Sequence, residues 1–323
     1  QETKDNGKKS GTYDPSTKKI TWEVIVNYQQ NDYKNLVVTD SPQGNQKIVA
    51  DSVKVETVEV TSGGGITGGA VLEGDKPEVN VAEDILTVTI GETSKPIRIT
   101  YKTTLEDATA IESSYTNKAQ ATENNDLVAD LKATAQVKGG GEYVSKTGEQ
   151  DGAVVDWTVV VNPQQANMSN VVLTDTISDN QEFLKDSVKV YTTEPGQTAA
   201  KDEYDASKYD VTFSDDGQTL TVEFKSEISR AYVVKYTTLH FAGHGQSVSN
   251  AYKVTGDNLK EDHTSDSSAN VQIKQLAGGT SSGEVGYLKV KKVGSDKPEG
   301  LEGITFELID PVSKRVLKEG TTD

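Results

Sequence analysis

At 323 residues and a formal net charge of −17, the chain is long enough for two or three domains. Its charge has the wrong sign for nucleic acid or an anionic membrane surface, since both reward lysine and arginine patches. Without cysteine it forms neither disulfides nor thiolate metal sites, and no run approaches the ~18 apolar residues of a membrane helix.

Hydrophobic residues make up 33% of the chain, which favours several thin β-domains over one large core. No signal peptide is visible, and the chain reads as a piece cut from a longer protein. In the first module, 1–137, Trp22-Glu-Val-Ile-Val26 alternates and places Trp22, Val24 and Val26 on one face of a strand. Leu36-Val-Val-Thr-Asp40 and Ser52-Val-Lys-Val55 follow. The glycine-rich Ser62-Gly-Gly-Gly-Ile-Thr-Gly-Gly69 lacks the lysine and following helix of a phosphate cradle and is expected to be a mobile hairpin loop. Strands resume at Ile85-Leu-Thr-Val-Thr-Ile90 and Ile97-Arg-Ile-Thr-Tyr101. Leu105–Ile111 holds at most one helical turn, and Ser114-Tyr-Thr-Asn-Lys-Ala119 is expected to lie on the last strand.

The second module, 138–275, repeats these landmarks in register. The spacing from Trp22 to Asp40 equals that from Trp157 to Asp175, and the spacing from Asp40 to Ser52 equals that from Asp175 to Ser187. The Asp40–Asn117 and Asp175–Asn250 spacings differ by only two positions. Tyr101-Lys-Thr-Thr-Leu105 also matches Tyr236-Thr-Thr-Leu239. Such agreement identifies a duplicated unit. Turn signals every ten or so residues and the lack of a long helical period predict an all-β fold of tandem sandwiches. Val137-Lys-Gly-Gly-Gly141 is the candidate hinge between the modules. Residues 276–285 have linker composition, and 286–323 hold two strands, Gly286-Tyr-Leu-Lys-Val-Lys-Lys-Val293 and Leu301-Glu-Gly-Ile-Thr-Phe-Glu-Leu-Ile309, of a truncated third β-module.

Strand parity puts polar groups on core faces. Val171, Leu173 and Asp175 share a face, as do Leu36, Val38 and Asp40. Val248, Asn250, Tyr252 and Val254 share another, as do Tyr115, Asn117, Ala119 and Ala121. Lys146 lies in phase with Val144; in the first module Lys8 and Lys9 compete for the same role, and Lys9-Ser-Gly matches Lys146-Thr-Gly better. Burying such groups unpaired costs several kcal/mol. A satisfied hydrogen-bond network or ion pair answers the pattern. So does chemistry: a neutral buried lysine attacks the asparagine amide while a protonated aspartate polarises the carbonyl and moves protons, releasing ammonia.

The order Lys-Thr-Gly, Trp-x-Val-x-Val strand, Thr-Asp and Ser-Asn-Ala resembles the collagen-binding A-region modules of Gram-positive surface adhesins. The resemblance implies immunoglobulin-like sandwiches with intramolecular isopeptide bonds, Lys9–Asn117 promoted by Asp40 and Lys146–Asn250 promoted by Asp175. Gly286-Tyr-Leu-Lys-Val-Lys-Lys-Val with Leu301-Glu-Gly-Ile-Thr-Phe-Glu-Leu resembles the start of a Cna-B-type repeat, in which Lys292 holds the bond-forming position. The glutamate and asparagine strands that would complete that third site are absent from this chain.

The resemblance further implies an extracellular, cell-wall-anchored adhesin that binds a collagen-like matrix protein. The alternative is a covalently reinforced spacer presenting another binding domain. We expect a monomer without cofactor or metal, whose only enzymatic chemistry is self-directed bond formation. Trp22 and Trp157 are expected in the core. His240 and His244 have a metal-like spacing but lie on a loop pattern, and Ser214-Asp-Asp-Gly217 reads as a hairpin turn. No arrangement of serine and histidine suggests a hydrolase.

Overall fold

The alternation around each tryptophan becomes an interior strand, and the lysine of each Lys-x-Gly motif, Lys9 or Lys146, lies on the edge strand beside it. The computed structural model describes residues 5–259, 267–274 and 302–322. Two compact units emerge, Gln1–Glu142 with Gln164–Asn167, and Tyr143–Pro163 with Met168–Asp323.

In the first unit, β1 (Gly7–Asp14), β2 (Lys19–Val26), β4 (Lys47–Val60), β5 (Ile66–Val71) and β8 (Ile97–Thr104) form one sheet in the order β1-β2-β8-β4-β5. The other contains β3 (Tyr33–Pro42), β6 (Glu78–Ala82), β7 (Ile85–Thr93), β9 (Ser114–Glu123) and β10 (Asp126–Gln136), ordered β10-β9-β3-β7-β6. All pairings are antiparallel. The faces agree with strand parity: Ile20, Trp22 and Val24 of β2 and Leu36, Val38, Leu86 and Val88 of β3 and β7 are buried. Burying these apolar faces between two sheets drives the sandwich.

The second unit repeats the plan. β11 (Val144–Asp151), β12 (Val154–Val161), β14 (Gln181–Thr192) and β17 (Tyr232–His240) form the sheet β11-β12-β17-β14. β13 (Val172–Ile177), β15 (Tyr209–Phe213), β16 (Thr219–Phe224), β18 (Ser247–Thr255) and β19 (Ser267–Gln272) form β15-β16-β13-β18-β19. Read strand for strand, this is the first unit without an equivalent of β5. The glycine-rich stretch of the first unit builds that extra hairpin, with Thr61 N–H donating to Gly65 O at 2.8 Å. A three-residue 3-10 turn, Ala206–Lys208, is capped by Asp205, whose side chain accepts from Ser207 N–H.

Two local expectations change. Asn117 and Asn250 lie on the penultimate strands β9 and β18, because β10 and β19 pair beyond them. β9 turns into β10 through Asn124 and Asn125, both at positive φ (50° and 69°), the geometry of a tight two-residue hairpin. Leu105–Ile111 stays within the one short turn expected of it, closed by Ala108 N–H on Leu105 O. The glycines at 139–141 are fastened to the first unit: Gly141 N–H donates to Ile111 O at 2.6 Å, and a Cβ on Gly140 would lie 2.1 Å from Glu112 O. Close approach of two backbones therefore requires Gly140, whatever freedom three glycines suggest in isolation.

Beyond the sandwich strands, β20 (Thr305–Ile309) and β21 (Val316–Thr321) form a hairpin within the second unit. The fully buried Asp310 shapes its turn, accepting from Val312 N–H at 3.1 Å and from Ser313 Oγ at 2.6 Å. The expected strand at 286–293, including Lys292, lies outside the described residues.

The glycine of each Lys-x-Gly motif has a packing cause. Gly11 stands opposite Trp22 and Gly148 opposite Trp157 across the β1–β2 and β11–β12 ladders. A Cβ on Gly148 would lie 2.5 Å from the Trp157 ring and 2.7 Å from Val271. Gly148→Ala is therefore expected to destabilise the second unit by about 1–3 kcal/mol through overpacking. Thermal unfolding checks this; an unchanged midpoint would mean that the buried ring can shift without penalty.

Candidate functional site

Each sandwich encloses a lysine from its edge strand and an aspartate and asparagine from the opposite sheet. In the first unit Lys9 projects from β1, Asp40 from β3 and Asn117 from β9. Lys9 Nζ donates to Asp40 Oδ2 at 2.5 Å, with the two side chains 0% and 2% exposed. Lys8 is exposed, so the buried partner of Asp40 is Lys9. Asn117 is fully buried and donates through Nδ2 to the Tyr101 hydroxyl at 2.7 Å. Among the described residues, Asp40 Oδ1 and Asn117 Oδ1 have no hydrogen-bond partner, an expensive state for buried oxygens.

In the second unit β11 supplies Lys146, β13 Asp175 and β18 Asn250, with both charged side chains fully buried. Lys146 Nζ donates to Asp175 Oδ2 and to the Tyr236 hydroxyl, which itself donates to Asp175 Oδ2 at 2.7 Å. The Asn250 amide fits its neighbours best turned about its Cβ–Cγ bond. With its oxygen toward the lysine, Oδ1 accepts from both Lys146 Nζ and the Tyr236 hydroxyl at 2.8 Å, while its nitrogen donates to Ser249 O at 2.8 Å. Aromatic rings line the pocket: Lys146 Nζ lies 4.6 Å from the Trp157 ring centroid, 4.9 Å from that of Tyr236 and 5.7 Å from that of Tyr252.

This setting moves the protonation equilibria. Burial pushes Lys9 down, against the opposing pull of Asp40, and lowers Lys146 to about 8, against Asp175. Burial raises Asp40, with Lys9 opposing it. Removing water thus brings both amines and the Asp40 carboxyl toward the uncharged forms that acyl transfer needs. Burial also pushes Tyr101 and Tyr236 well above the ordinary phenol range, with the neighbouring aspartates acting in the same direction.

Strand parity located five of the six lysine, aspartate and asparagine positions and the Lys-x-Gly motif the sixth, Lys9, but neither found what completes the sites. The Tyr101 and Tyr236 hydroxyls touch the asparagines, although the sequence marked them only as repeat landmarks. A glutamine–threonine–tryptophan relay also lies beside each set. Gln46 Oε1 accepts from Trp22 Nε1 at 3.1 Å and from Thr103 Oγ1 at 2.7 Å. Gln181 Oε1 accepts from Thr238 Oγ1 at 2.8 Å, and that hydroxyl accepts from Trp157 Nε1 at 2.9 Å. The repeated Asn-Gln dipeptides, Asn45-Gln46 and Asn180-Gln181, were the available signal.

Other candidates have ordinary structural roles. His240 Nε2 lies 3.0 Å from Gly152 O, and Ser214–Gly217 is a hairpin turn with Gly217 at φ 72°. Among the described residues, no group of three or more histidine or acidic side chains is placed to hold a metal ion, and no helix is long and apolar enough to cross a membrane.

Fold and site together define a tandem of immunoglobulin-like sandwiches, each built around a buried lysine–aspartate–asparagine set. The family model described as "Collagen binding domain" matches residues 4–129 and again residues 141–265. The chain belongs to this family, in two tandem copies. Similar solved structures include the collagen adhesin of S. aureus (14% identity, covering 81% of this chain and 88% of that one, TM-score 0.31). The Enterococcus faecalis surface protein ACE aligns at 13% identity over 82% of this chain and 92% of its own, with a TM-score of 0.35. The C-terminal domain of the Streptococcus pyogenes antigen I/II-family protein AspA aligns at 10% identity over 83% and 99%, with a TM-score of 0.34. No curated protein matches the chain.

Proposed function

We propose that the chain is the ligand-binding part of an extracellular, cell-wall-anchored adhesin that recognises collagen through two sandwiches, each closed by a self-formed Lys–Asn isopeptide bond. The observation that carries the adhesive reading is the two collagen-binding-domain matches, in tandem, over most of the chain. The acidic surface, net charge −17, suits a basic or neutral fibrous ligand better than a polyanion.

The buried sets support the covalent part. Uncharged Lys146 Nζ adds to Asn250 Cγ, and Asp175 passes a proton from the attacking nitrogen to Nδ2. The Cγ–Nδ2 bond then breaks and ammonia departs, leaving a secondary amide between β11 and β18. Lys9, Asp40 and Asn117 do the same between β1 and β9. In both units the bond ties one sheet to the other.

Two measurements test this. Intact mass is expected to be two ammonias below the sequence value, with peptides bearing Lys9 and Asn117, and Lys146 and Asn250, recovered joined. A mass equal to the plain sequence would sink the covalent claim. Surface plasmon resonance is expected to show saturable binding to triple-helical collagen and much weaker binding to the heat-denatured chains. Absence of binding to either would leave the sandwiches as a reinforced spacer.

A further inference from the structure

The geometry points to Tyr101 and Tyr236 as catalytic residues of the Lys–Asn ligation, each donating a hydrogen bond to the asparagine carbonyl oxygen as the lysine adds. The inference rests on the cross-linking reading and assigns a step that the lysine, aspartate and asparagine leave unserved. When the lysine adds, negative charge develops on Oδ1 of a fully buried amide. The aspartate is occupied, since it must take the proton from the attacking nitrogen and deliver one to the departing nitrogen. A second donor has to face the oxygen, and in a dry pocket such a donor contributes far more than it would in water.

The two tyrosines occupy equivalent places in independent units. Tyr101 stands opposite Trp22 on β8, and Tyr236 opposite Trp157 on β17. Both are buried, 0% and 2% exposed. Each hydroxyl lies within hydrogen-bond reach of its asparagine amide, at 2.7 Å from Asn117 and 2.8 Å from Asn250. With the Asn250 oxygen turned toward the lysine, Oδ1 accepts from the tyrosine and the amine at once, so nucleophile and oxyanion donor converge on one carbonyl. Asn117 Oδ1 has no partner where it stands, so turning that amide to Tyr101 satisfies a buried acceptor. The rings are held in place: Tyr236 packs against Phe183 at 5.3 Å between centroids. Burial keeps both phenols protonated, hence donors, throughout the physiological range.

The steps balance. With Asp175 protonated, its Oδ2 no longer needs the Tyr236 hydrogen, which turns to Asn250 Oδ1. The Nζ–Cγ bond forms and charge moves to Oδ1. Asp175 protonates Nδ2 and recovers a proton from Nζ. The carbonyl re-forms as Cγ–Nδ2 breaks, and ammonia leaves. The tyrosine ends with its own proton, so one amine and one primary amide become one secondary amide and one ammonia.

The test follows ammonia loss by intact mass in the full chain, sampled as it is freshly synthesised in a cell-free system, with peptide mapping to assign each bond. Tyr236→Phe keeps the ring and removes only the hydroxyl. Closure of Lys146–Asn250 is expected to slow by about 10²-fold, as for loss of one oxyanion donor, while Lys9–Asn117 closes at the wild-type rate. Tyr101→Phe is expected to show the reverse pattern, and it decides the matter if Tyr236→Phe does not fold. Folding is checked against Asn250→Ala, which lacks the bond for a different reason and sets the unfolding midpoint of an uncross-linked second unit. Wild-type closure rates in both folded phenylalanine variants would overturn the role of the tyrosines while leaving the cross-links standing. A wild-type chain that loses no ammonia would instead remove the cross-linking reading itself.

Discussion

Asn250→Ala is expected to lower the melting temperature of the second unit by on the order of 15 °C while leaving the transition of the first unit in place. Lys146 and Asn250 close a loop of about a hundred residues, and in the chain-entropy model a covalent link of that span contributes ~4.7 kcal/mol by restricting the unfolded chain. For a domain of this size each kcal/mol moves the midpoint by about 3–5 °C. The substitution leaves the Lys146–Asp175 pair intact, so most of the loss reports the missing bond. Differential scanning calorimetry resolves it, with the first unit as internal reference. A shift no larger than that of an ordinary buried polar deletion, about 1–3 kcal/mol, would mean that the asparagine belongs only to a satisfied network.

Asp175→Ala is expected to be more damaging still. It abolishes the bond by removing the proton carrier and also leaves Lys146 buried without a counter-charge, which costs about 3–5 kcal/mol more. Together these approach the whole stability of a typical domain, about 5–15 kcal/mol. The damage has a distinctive pH dependence. Lys146 is already lowered to about 8 by burial, with Asp175 opposing the shift. Without the aspartate its folded-state value falls further, while the unfolded value stays near 10.4. Between the two, the unfolded chain binds more protons than the folded one, so stability rises with pH. The second unit of Asp175→Ala should therefore gain stability as the pH is raised toward 8, a range in which Lys146 of Asn250→Ala is still charged beside Asp175 and contributes little slope; above 8 the two slopes converge. Parallel pH slopes in urea unfolding would show that Lys146 finds another partner or reaches water in the variant.

What was legible in the sequence was whatever alternation and duplication could encode. Period-two alternation put Trp22, Asp40 and Asn117 on inward faces, and the second copy repeated every landmark. The choice of Lys9 over Lys8 rested on a motif alone, because glycines around it obscured the parity; packing resolves it, with Lys9 buried and Lys8 exposed. Strands β10 and β19 were missed as partners because a strand's neighbours depend on sheet order, which local pattern does not contain. The tyrosines were hidden for a related reason: an inward tyrosine on an alternating strand looks like any core residue. Its hydroxyl acquires a role only from groups across the sandwich, such as Asp175, 61 positions from Tyr236. Gly140 was misread in the opposite sense, as freedom where the fold requires close backbone approach.

The placement of Lys9 and Asn117, near the two ends of the first unit and on different sheets, has a mechanical consequence. Once the proposed bond is closed, tension entering along β1 passes from Lys9 directly into Asn117 and leaves through β9. The chain between them carries none of it. The strands that hold the core would then not be peeled apart by pulling, because the covalent path is shorter than the backbone path around it. The second unit repeats the arrangement, so tension along the chain would meet two inextensible links in series, with give confined to the segments outside them.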